Sequence, residues 1–325
     1  MIVPRRGPDA RIVARRALRY ADGGDPTIGR PPHVRAASGL AWQTREGRRV
    51  LVAPQDDTSF LAVFGPESAD VAAITLDYAP DGVRVFEERA GTKALKLDLE
   101  SIAAIDETRA LLVGSGSHAN RRRMVLLEGT TTRVIDCTAL YETLAARTDF
   151  AGSELNVEGA ARSGDRFFLA NRGNGAPRGD LAPVSALADL GLDALLSYLD
   201  RCGPVPPIEA VRPFDLGAVA GAPLTFTDLA TGPEGRLWFL AAAERSPSAY
   251  DDGEVVGCAI GVVLPRGEAV LAILHDEDGS PSRSKPEGLA LASVHGDEVR
   301  AYAVVDADDP DVPSELITIS VRAPS

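Results

Sequence analysis

Short runs of apolar residues, each followed by turn-forming residues, recur along nearly the whole chain. Near the start they fall at residues 50–53, 60–64 and 71–76, after a small and polar segment at 38–42. Short runs bounded by Gly, Pro, Asp or Asn are typical of β-strands. Comparable groups follow at residues 100–135, 158–214, 227–274 and 287–321. The pattern therefore predicts an all-β protein built from five similar groups of strands.

The first strand of each predicted group begins with a related phrase: a polar or acidic residue, a small residue and then an apolar pair. Aligning the phrases places five residues in one column: Ser38, Glu100, Glu158, Thr227 and Glu287. Neighbours in this column are 62, 58, 69 and 60 residues apart in the sequence. A regular internal repeat indicates a fold assembled from equivalent units.

The last group has only three predicted strands, which would leave a sheet edge unpaired. An apolar segment at residues 11–20, at the other end of the chain, can supply the fourth strand. We therefore predict one domain over residues 1–325, a five-bladed β-propeller closed by pairing of the N-terminal strand with the last blade. One helical insertion is predicted near residues 186–201. A β-sandwich, or a sixth blade within residues 83–97, is the alternative.

The composition mainly excludes certain partners and certain classes of protein. A net charge of -13 argues against a nucleic-acid partner, because phosphate contacts need clustered Lys and Arg. No apolar run approaches the about 20 residues that cross a membrane, and the N-terminus lacks the apolar core of a signal peptide. Three widely spaced cysteines do not indicate a disulfide framework or a thiolate zinc site. We expect a cytoplasmic protein with a small-molecule partner.

In a propeller the first strand of each blade lines the central channel, so the aligned column predicts a ring of side chains around the axis. Three of its members are acidic, and carboxylates gathered in a narrow channel repel one another. Either Lys285 and nearby arginines neutralise them, or a cation does. Mixed carboxylate and hydroxyl ligands suit a hard ion such as calcium. The hypothesis is that all five column residues surround one divalent cation.

The order Ser, Glu, Glu, Thr, Glu in this column resembles the calcium-dependent apyrase (nucleotidase) propellers. The phrases Glu-Gly-Ala-Ala at Glu158 and Glu-Gly-Leu-Ala at Glu287 are also similar to the phytase-esterase-like propeller family. The apyrase resemblance implies a calcium ion on the axis, bound by one residue from each blade. It covers the inner strands and not the loops.

The loops after the second predicted strand of each group are polar and should open on the same face as the ring. Loops on a rigid scaffold commonly carry binding and catalytic residues. Candidates for positioning a water as general base are Glu244, Asp56 and Asp306. Candidates for binding a substrate anion are Arg172, Arg245, Asn171, His118 and Lys285.

These residues support two functional hypotheses. The first is a metal-dependent hydrolase of a phosphate or carboxylate ester, with calcium or another divalent cation polarising the substrate. The second is a non-catalytic binding or scaffold propeller whose cation is structural. Because propellers host both kinds of protein, the fold does not decide between them. An open funnel shared by the ring acids, Arg172, Arg245 and a loop acid would favour the enzyme.

Overall fold

The computed structural model describes residues 1–245, 253–264 and 267–322, and β-strands dominate it, which confirms the all-β prediction. After β1 (Arg5–Arg6) and β2 (Ala10–Ala17), three four-stranded antiparallel sheets follow in chain order. Sheet I contains β3 (Ala41–Arg45), β4 (Arg48–Ala53), β5 (Phe60–Phe64) and β6 (Val71–Thr75). Sheet II contains β7 (Leu99–Ala104), β8 (Arg109–Gly114), β9 (Arg123–Glu128) and β10 (Thr131–Asp136). Sheet III contains β11 (Val157–Ser163), β12 (Arg166–Asn171), β13 (Ser185–Gly191) and β14 (Ala210–Phe214).

The remaining strands form two further antiparallel groups. Sheet IV contains β15 (Ala218–Val219), β16 (Ala222–Thr231), β17 (Leu237–Arg245), β18 (Glu254–Val263) and β19 (Ala269–His275). Sheet V contains β20 (Lys285–His295), β21 (Glu298–Asp306), β22 (Glu315–Arg322) and the N-terminal strand β2. A short parallel contact between β19 and β2 joins sheets IV and V, and β1 pairs in parallel with β19.

The N-terminal strand is the outer strand of sheet V, as the sequence predicts. β2 runs antiparallel to β22, with Ile12 opposite Ile319 and Arg15 opposite Ile317. Ile12 is 1% exposed and packs among apolar residues of sheets IV and V, whereas its neighbour Val13 is 48% exposed. The strand therefore contributes both backbone pairing and core packing to the end of the chain.

We expect Ile12→Ala to lower the free energy of unfolding by about 3 kcal/mol, because it removes buried methyl groups and leaves a cavity. Val13→Ala, a control in the same strand, should change it by less than about 0.5 kcal/mol because Val13 is largely exposed. Thermal or urea unfolding measures both. Equal, small effects would show that β2 does not hold the end of the chain.

Five apolar clusters lie between successive sheets. They join sheets I and II, II and III, III and IV, IV and V, and finally V and I. In the last of these, Leu18 and Tyr20 from the N-terminal segment pack with Leu40 of the first group and Val304 of sheet V. Each sheet thus buries both of its faces, and the two ends of the chain share one core.

The aligned column has a structural counterpart in a β-bulge. The ladder register shifts at Glu100 in β7, Glu158 in β11, Thr227 in β16 and Glu287 in β20, each time between the residues on either side. A bulge leaves one residue unpaired and turns its side chain away from the regular alternation. The four positions are therefore equivalent in backbone conformation as well as in sequence.

Small residues after the bulges let the first strands approach one another. A Cβ atom added at Gly39 would lie 2.9 Å from Cα of Ser101, and one at Gly159 would lie 2.8 Å from the Leu229 backbone nitrogen. A Cβ at Gly288 would collide with the backbone of Gly39. This close approach requires glycine and confirms that the first strands converge.

The structure corrects two predictions about the connections. Residues 186–201 are not one helical insertion: β13 occupies the first half, and only α3 (Leu192–Leu199) is helical. The alternating Ala-Leu-Ala-Asp-Leu pattern pairs with β12 as a strand. Residues 83–97, the alternative place for a sixth blade, contain no strand, and Val85 makes only a single bridge to Thr58. The helices α1 (Thr138–Ala146) and α2 (Thr148–Ala151) lie between sheets II and III.

The described residues also contain four short 3₁₀ turns. They span Pro80–Gly82, Lys93–Leu95, Ala119–Arg121 and Pro233–Gly235. In the described part of the chain, none of the helices has the length and apolar character needed to traverse a bilayer.

Candidate functional site

A cavity of about 680 Å³ lies where the bulged strands begin and the loops after the second strands end. Twelve carboxylates and seven lysine or arginine side chains line it, so acids exceed bases. The structure brings most of the predicted site residues to this one cavity: Glu100, Glu158, Glu287, Asp56, Asp306, Arg172, His118 and Lys285. Ring acids and loop residues thus share one solvent-accessible space.

Two members of the aligned column do not reach the cavity. Ser38 and Thr227 are buried, and their hydroxyls donate hydrogen bonds to the backbone carbonyls of Leu99 and Pro286, at 2.6 Å for Thr227. The Thr227 bond links β16 to β20, and the Ser38 bond links the segment before β3 to β7. The five-residue metal ring stays a prediction, of which only Glu100, Glu158 and Glu287 line the cavity.

Three of the predicted loop residues also lie outside the cavity lining. The buried Asn171 side chain accepts a 2.7 Å hydrogen bond from the Asn156 amide and donates one of 2.8 Å to the Val184 carbonyl. Arg245 is exposed and donates to the Ala220 carbonyl. Glu244 lies behind the cavity wall, paired with Arg172. Asn171 and Arg245 therefore bind backbone groups of nearby segments, and Glu244 neutralises the charge of Arg172.

The most compact acidic cluster contains Asp56, Asp98 and Glu100, whose carboxylate oxygens lie within 4.8 Å of one another. The Lys96 ammonium is 2.6 Å from Asp56 and 2.5 Å from Asp98. The pKa of Asp98 is lowered, since Lys96 and then Arg121 outweigh its burial. Burial, and then the Glu158 charge, raise the pKa of Glu100 well above its usual range. The cluster thus combines an ionised carboxylate with one that resists ionisation.

The cations on the other side of the cavity are already paired with acids. The Arg172 guanidinium forms ion pairs with Glu158, at 3.3 Å, and with Glu244. Lys285 lies 3.2 Å from Glu287 and 3.0 Å from Asp308. Even so, burial raises the pKa of Glu158 and that of Glu287, with Arg172 and Lys285 respectively opposing the shift. Neither cation has surplus positive charge for a substrate anion.

Asp306 ends β21 at the cavity wall. Burial raises its pKa to about 8, while the Lys285 charge opposes the shift and the charges of Asp308 and Asp56 add to it. A carboxyl group with this pKa holds its proton at neutral pH and can act as a general acid. Asp306 therefore differs in protonation from the ionised carboxylates in the same cavity.

Sequence reasoning missed the connection between sheets I and II, which forms one wall of the cavity. Glu87, Glu88, Arg89, Lys93, Lys96 and Asp98 all line it. A signal was present, because Lys96, Asp98 and Glu100 alternate with Leu95, Leu97 and Leu99. Such alternation predicts a strand with one polar face. Read in that way, it would have placed Lys96 and Asp98 beside Glu100.

The side chains of the acidic cluster match several requirements of a hard divalent cation such as calcium. Asp56, Asp98 and Glu100 offer oxygen ligands of the right chemistry. Calcium takes about six to eight oxygens, so water or substrate would complete the shell. The Lys96 ammonium, however, contacts two of the three carboxylates. The residues fit a cation in ligand type, provided that Lys96 turns away.

Comparison with known proteins identifies the family but no activity. No curated protein sequence matches the chain. Among solved structures, a gluconolactonase from Xanthomonas campestris has 13% identity and a TM-score of 0.43, covering 99% of this chain and 98% of that one. A mannose phosphorylase from Leishmania mexicana has 11% identity and a TM-score of 0.46, covering 97% and 88%. BBS1N in complex with ARL6DN has 8% identity and a TM-score of 0.37, and the chain spans 63% of its length.

The family match is of a different kind, because it is made on the sequence itself. It extends over residues 33–321 and so includes sheets I to V except for the N-terminal strand β2. The apyrase-like and phytase-esterase-like resemblances of the inner-strand phrases are to other families and stay predictions. On the extent of the match, the chain belongs to DUF6929, described as a family of unknown function.

Proposed function

We propose that the protein is a hydrolase of a small ester, with its active site in the acidic cavity of a single-domain, five-bladed propeller. Five groups of antiparallel strands, the last two joined by the β19–β2 contact, five intervening cores and the pairing of β2 with β22 support the blade count. The observation that carries the proposed activity is Asp306, a carboxyl group with a pKa of about 8 in the same cavity as the ionised carboxylates. Carboxyl groups with separated pKa values are typical of acid–base catalysis.

The charge of the cavity favours a carboxylate ester or lactone over a phosphate ester. Acids outnumber bases in the lining, so a phosphate would be repelled. Arg172 and Lys285 each pair with two carboxylates, which removes the anion-binding role that the sequence suggested for them. A neutral substrate enters without this repulsion.

The proposed reaction assigns two proton transfers to residues of this chain. Asp56, which pairs with the Lys96 ammonium, takes a proton from water as the water oxygen bonds to the carbonyl carbon. Asp306 donates its proton to the leaving oxygen as the carbon–oxygen bond breaks, so the products are an acid and an alcohol. A divalent cation bound by Asp56, Asp98 and Glu100 would polarise the carbonyl oxygen. Glu244 has no place in this scheme, because it lies outside the cavity and pairs with Arg172.

The second candidate is a binding or scaffold propeller. The observation that favours it is the fully buried Asp228, which is bonded to Ser101 and Leu289 of two other groups of strands. A buried polar link of this kind stabilises a scaffold without any catalytic role. The open acidic cavity favours the enzyme.

We expect Asp306→Asn to lower kcat for a carboxylate ester or lactone at least about 100-fold, because the variant lacks the proton donor. In the parent protein the rate should fall as the pH rises through about 8, where Asp306 loses its proton. A screen of aryl esters, lactones and phosphate esters, followed by pH–rate profiles, measures both. Asp309→Asn, an exposed acid of the same cavity, is the matched control. Turnover of no ester or lactone would contradict the enzyme proposal.

The metal part of the proposal has its own test. If calcium binds only the folded protein, it should stabilise it by about 2.7 kcal/mol at 100 times its Kd, and chelation should reverse the shift. Glu100→Gln should weaken calcium binding, whereas the exposed Glu88→Gln should not. Calorimetric titration and thermal unfolding with calcium or EDTA measure this. Equal unfolding temperatures in both conditions would restrict the mechanism to acid–base chemistry.

A further inference from the structure

A second depression of about 450 Å³ adjoins the acidic cavity. Its walls come from the loop before sheet I, the connection after sheet I and the loop between β21 and β22. They include Pro31, Pro32, Val85 and Pro310, which make much of its lining apolar. We call this depression the proline groove. Arg35, Glu87, Arg89 and Pro310 line both the groove and the cavity, so the two spaces adjoin along these residues.

The boundary between the two spaces is a chain of alternating charges. Arg35 is buried, with its guanidinium 2.5 Å from Asp57 and 2.7 Å from Glu87. Glu87 also pairs with Arg89, and hydrogen bonds from Arg89 and then Arg35 lower the pKa of Glu87 to about 2. Glu87 is thus held ionised at this boundary, whereas burial and then the Asp56 charge raise the pKa of Asp57 to about 6.

The two spaces differ in polarity. The cavity has an excess of carboxylates, whereas in the groove two arginines, Arg35 and Arg89, are balanced by two acids, Glu87 and Asp311. Proline and valine offer apolar surface that loses little conformational entropy on binding. The groove therefore suits an uncharged apolar group that is attached to a polar group in the cavity.

We propose that the proline groove binds the apolar acyl chain or ring of the substrate whose ester group lies in the acidic cavity. The proposal rests on the hydrolase function and adds the substrate class: esters or lactones with an apolar limb of several carbons. Burying one methylene group strengthens binding about fourfold, so burying two or more should lower the Kd at least about tenfold.

The test compares 4-nitrophenyl acetate with 4-nitrophenyl hexanoate, each corrected for its uncatalysed rate. For the parent protein, kcat/KM should be at least about tenfold higher for the hexanoate. Val85→Asp places a charge in the groove and should bring the two esters close to equality. Val294→Asp, at an exposed valine of β20 that lines neither space, should keep the parent preference. Circular dichroism and thermal unfolding check that both variants fold.

Equilibrium binding separates the subsite from the reaction. Hexanamide, which lacks the ester, should bind the parent protein at least about tenfold more tightly than acetamide, and Val85→Asp should abolish the difference. Binding of hexanamide without turnover of any ester would support the groove and overturn the hydrolase. Turnover without chain-length preference would overturn the groove and support the hydrolase. Neither binding nor turnover would overturn both.

Discussion

Asp228→Ala is expected to lower the free energy of unfolding by about 3–5 kcal/mol. Asp228 of β16 is fully buried and connects three groups of strands. Its side chain accepts a 2.7 Å hydrogen bond from the Ser101 hydroxyl of sheet II and another of 2.7 Å from the Leu289 amide of sheet V. Removing it leaves buried donors unsatisfied, at about 1–3 kcal/mol each, and opens a cavity. Urea unfolding measures the loss.

Asp228→Asn separates the polar contacts from the charge. Burial raises the pKa of Asp228 well above its usual range. An acid whose pKa is higher in the folded state contributes most stability below its unfolded pKa, about 3.9, and this contribution is lost as pH rises toward the folded value. Asparagine does not titrate, so its stability relative to the parent should improve as pH rises above about 4.

The control for Asp228 is Asp297→Ala, an exposed aspartate in the turn between β20 and β21, which should change stability by less than about 0.5 kcal/mol. If Asp228→Ala unfolded at the parent urea concentration, the axial contacts would contribute nothing. If Asp228→Asn were as unstable as the alanine variant at every pH, its contribution would require the carboxylate itself.

The second large effect is expected from Arg172→Met, which should cost about 3–5 kcal/mol. Arg172 is buried and shared by Glu158 and Glu244. Its loss leaves two carboxylates in a poorly solvated site without their cation. The pKa of Glu158 is raised even with Arg172 present and should rise further without it. The variant should therefore lose more stability at pH 8 than at pH 5, since protonation relieves the unpaired charge.

Two further variants test whether the loss of stability in Arg172→Met comes from its unpaired carboxylates. Arg245→Met, on a largely exposed arginine, is the matched control and should be nearly neutral. Adding Glu158→Gln to Arg172→Met should recover part of the loss, because one of the two unpaired charges is removed. Thermal unfolding at several pH values measures all three proteins. An Arg172→Met variant with parent stability would indicate that the cavity acids are neutralised by something else, such as a bound cation.

The repeat in the sequence predicted more of the fold than any single strand did. The column through Glu100, Glu158, Thr227 and Glu287 marks the bulge of each first strand. Glycine follows Glu158 and Glu287 because these strands approach their neighbours too closely for a Cβ atom, as Gly159 and Gly288 show. Both features are local requirements of backbone geometry, and local requirements leave a pattern in the sequence.

The partners of the polar side chains were much less predictable. Ser38 and Thr227 occupy the right positions in the repeat, but their hydroxyls donate to carbonyls of neighbouring sheets. Arg172 was expected to hold a substrate anion, but it pairs with Glu158 and with Glu244, which is 72 residues away in the sequence. Lys285 pairs with Glu287 and Asp308, in line with the predicted alternative in which it neutralises ring acids. A residue type and its repeat position do not specify which distant group it meets.

The sequence by itself determined the all-β class, the equivalence of the four bulged strands and the pairing of β2 with the last group of strands. Alternation and the repeated phrase act over a few residues at a time, whereas the pairing of β2 follows from the need to pair a free sheet edge. Only the tertiary structure decided which acids are ionised and which side chains face the cavity. Burial and charge at Asp306 or Glu100 depend on residues of several sheets, because electrostatic interactions act through space and not along the chain.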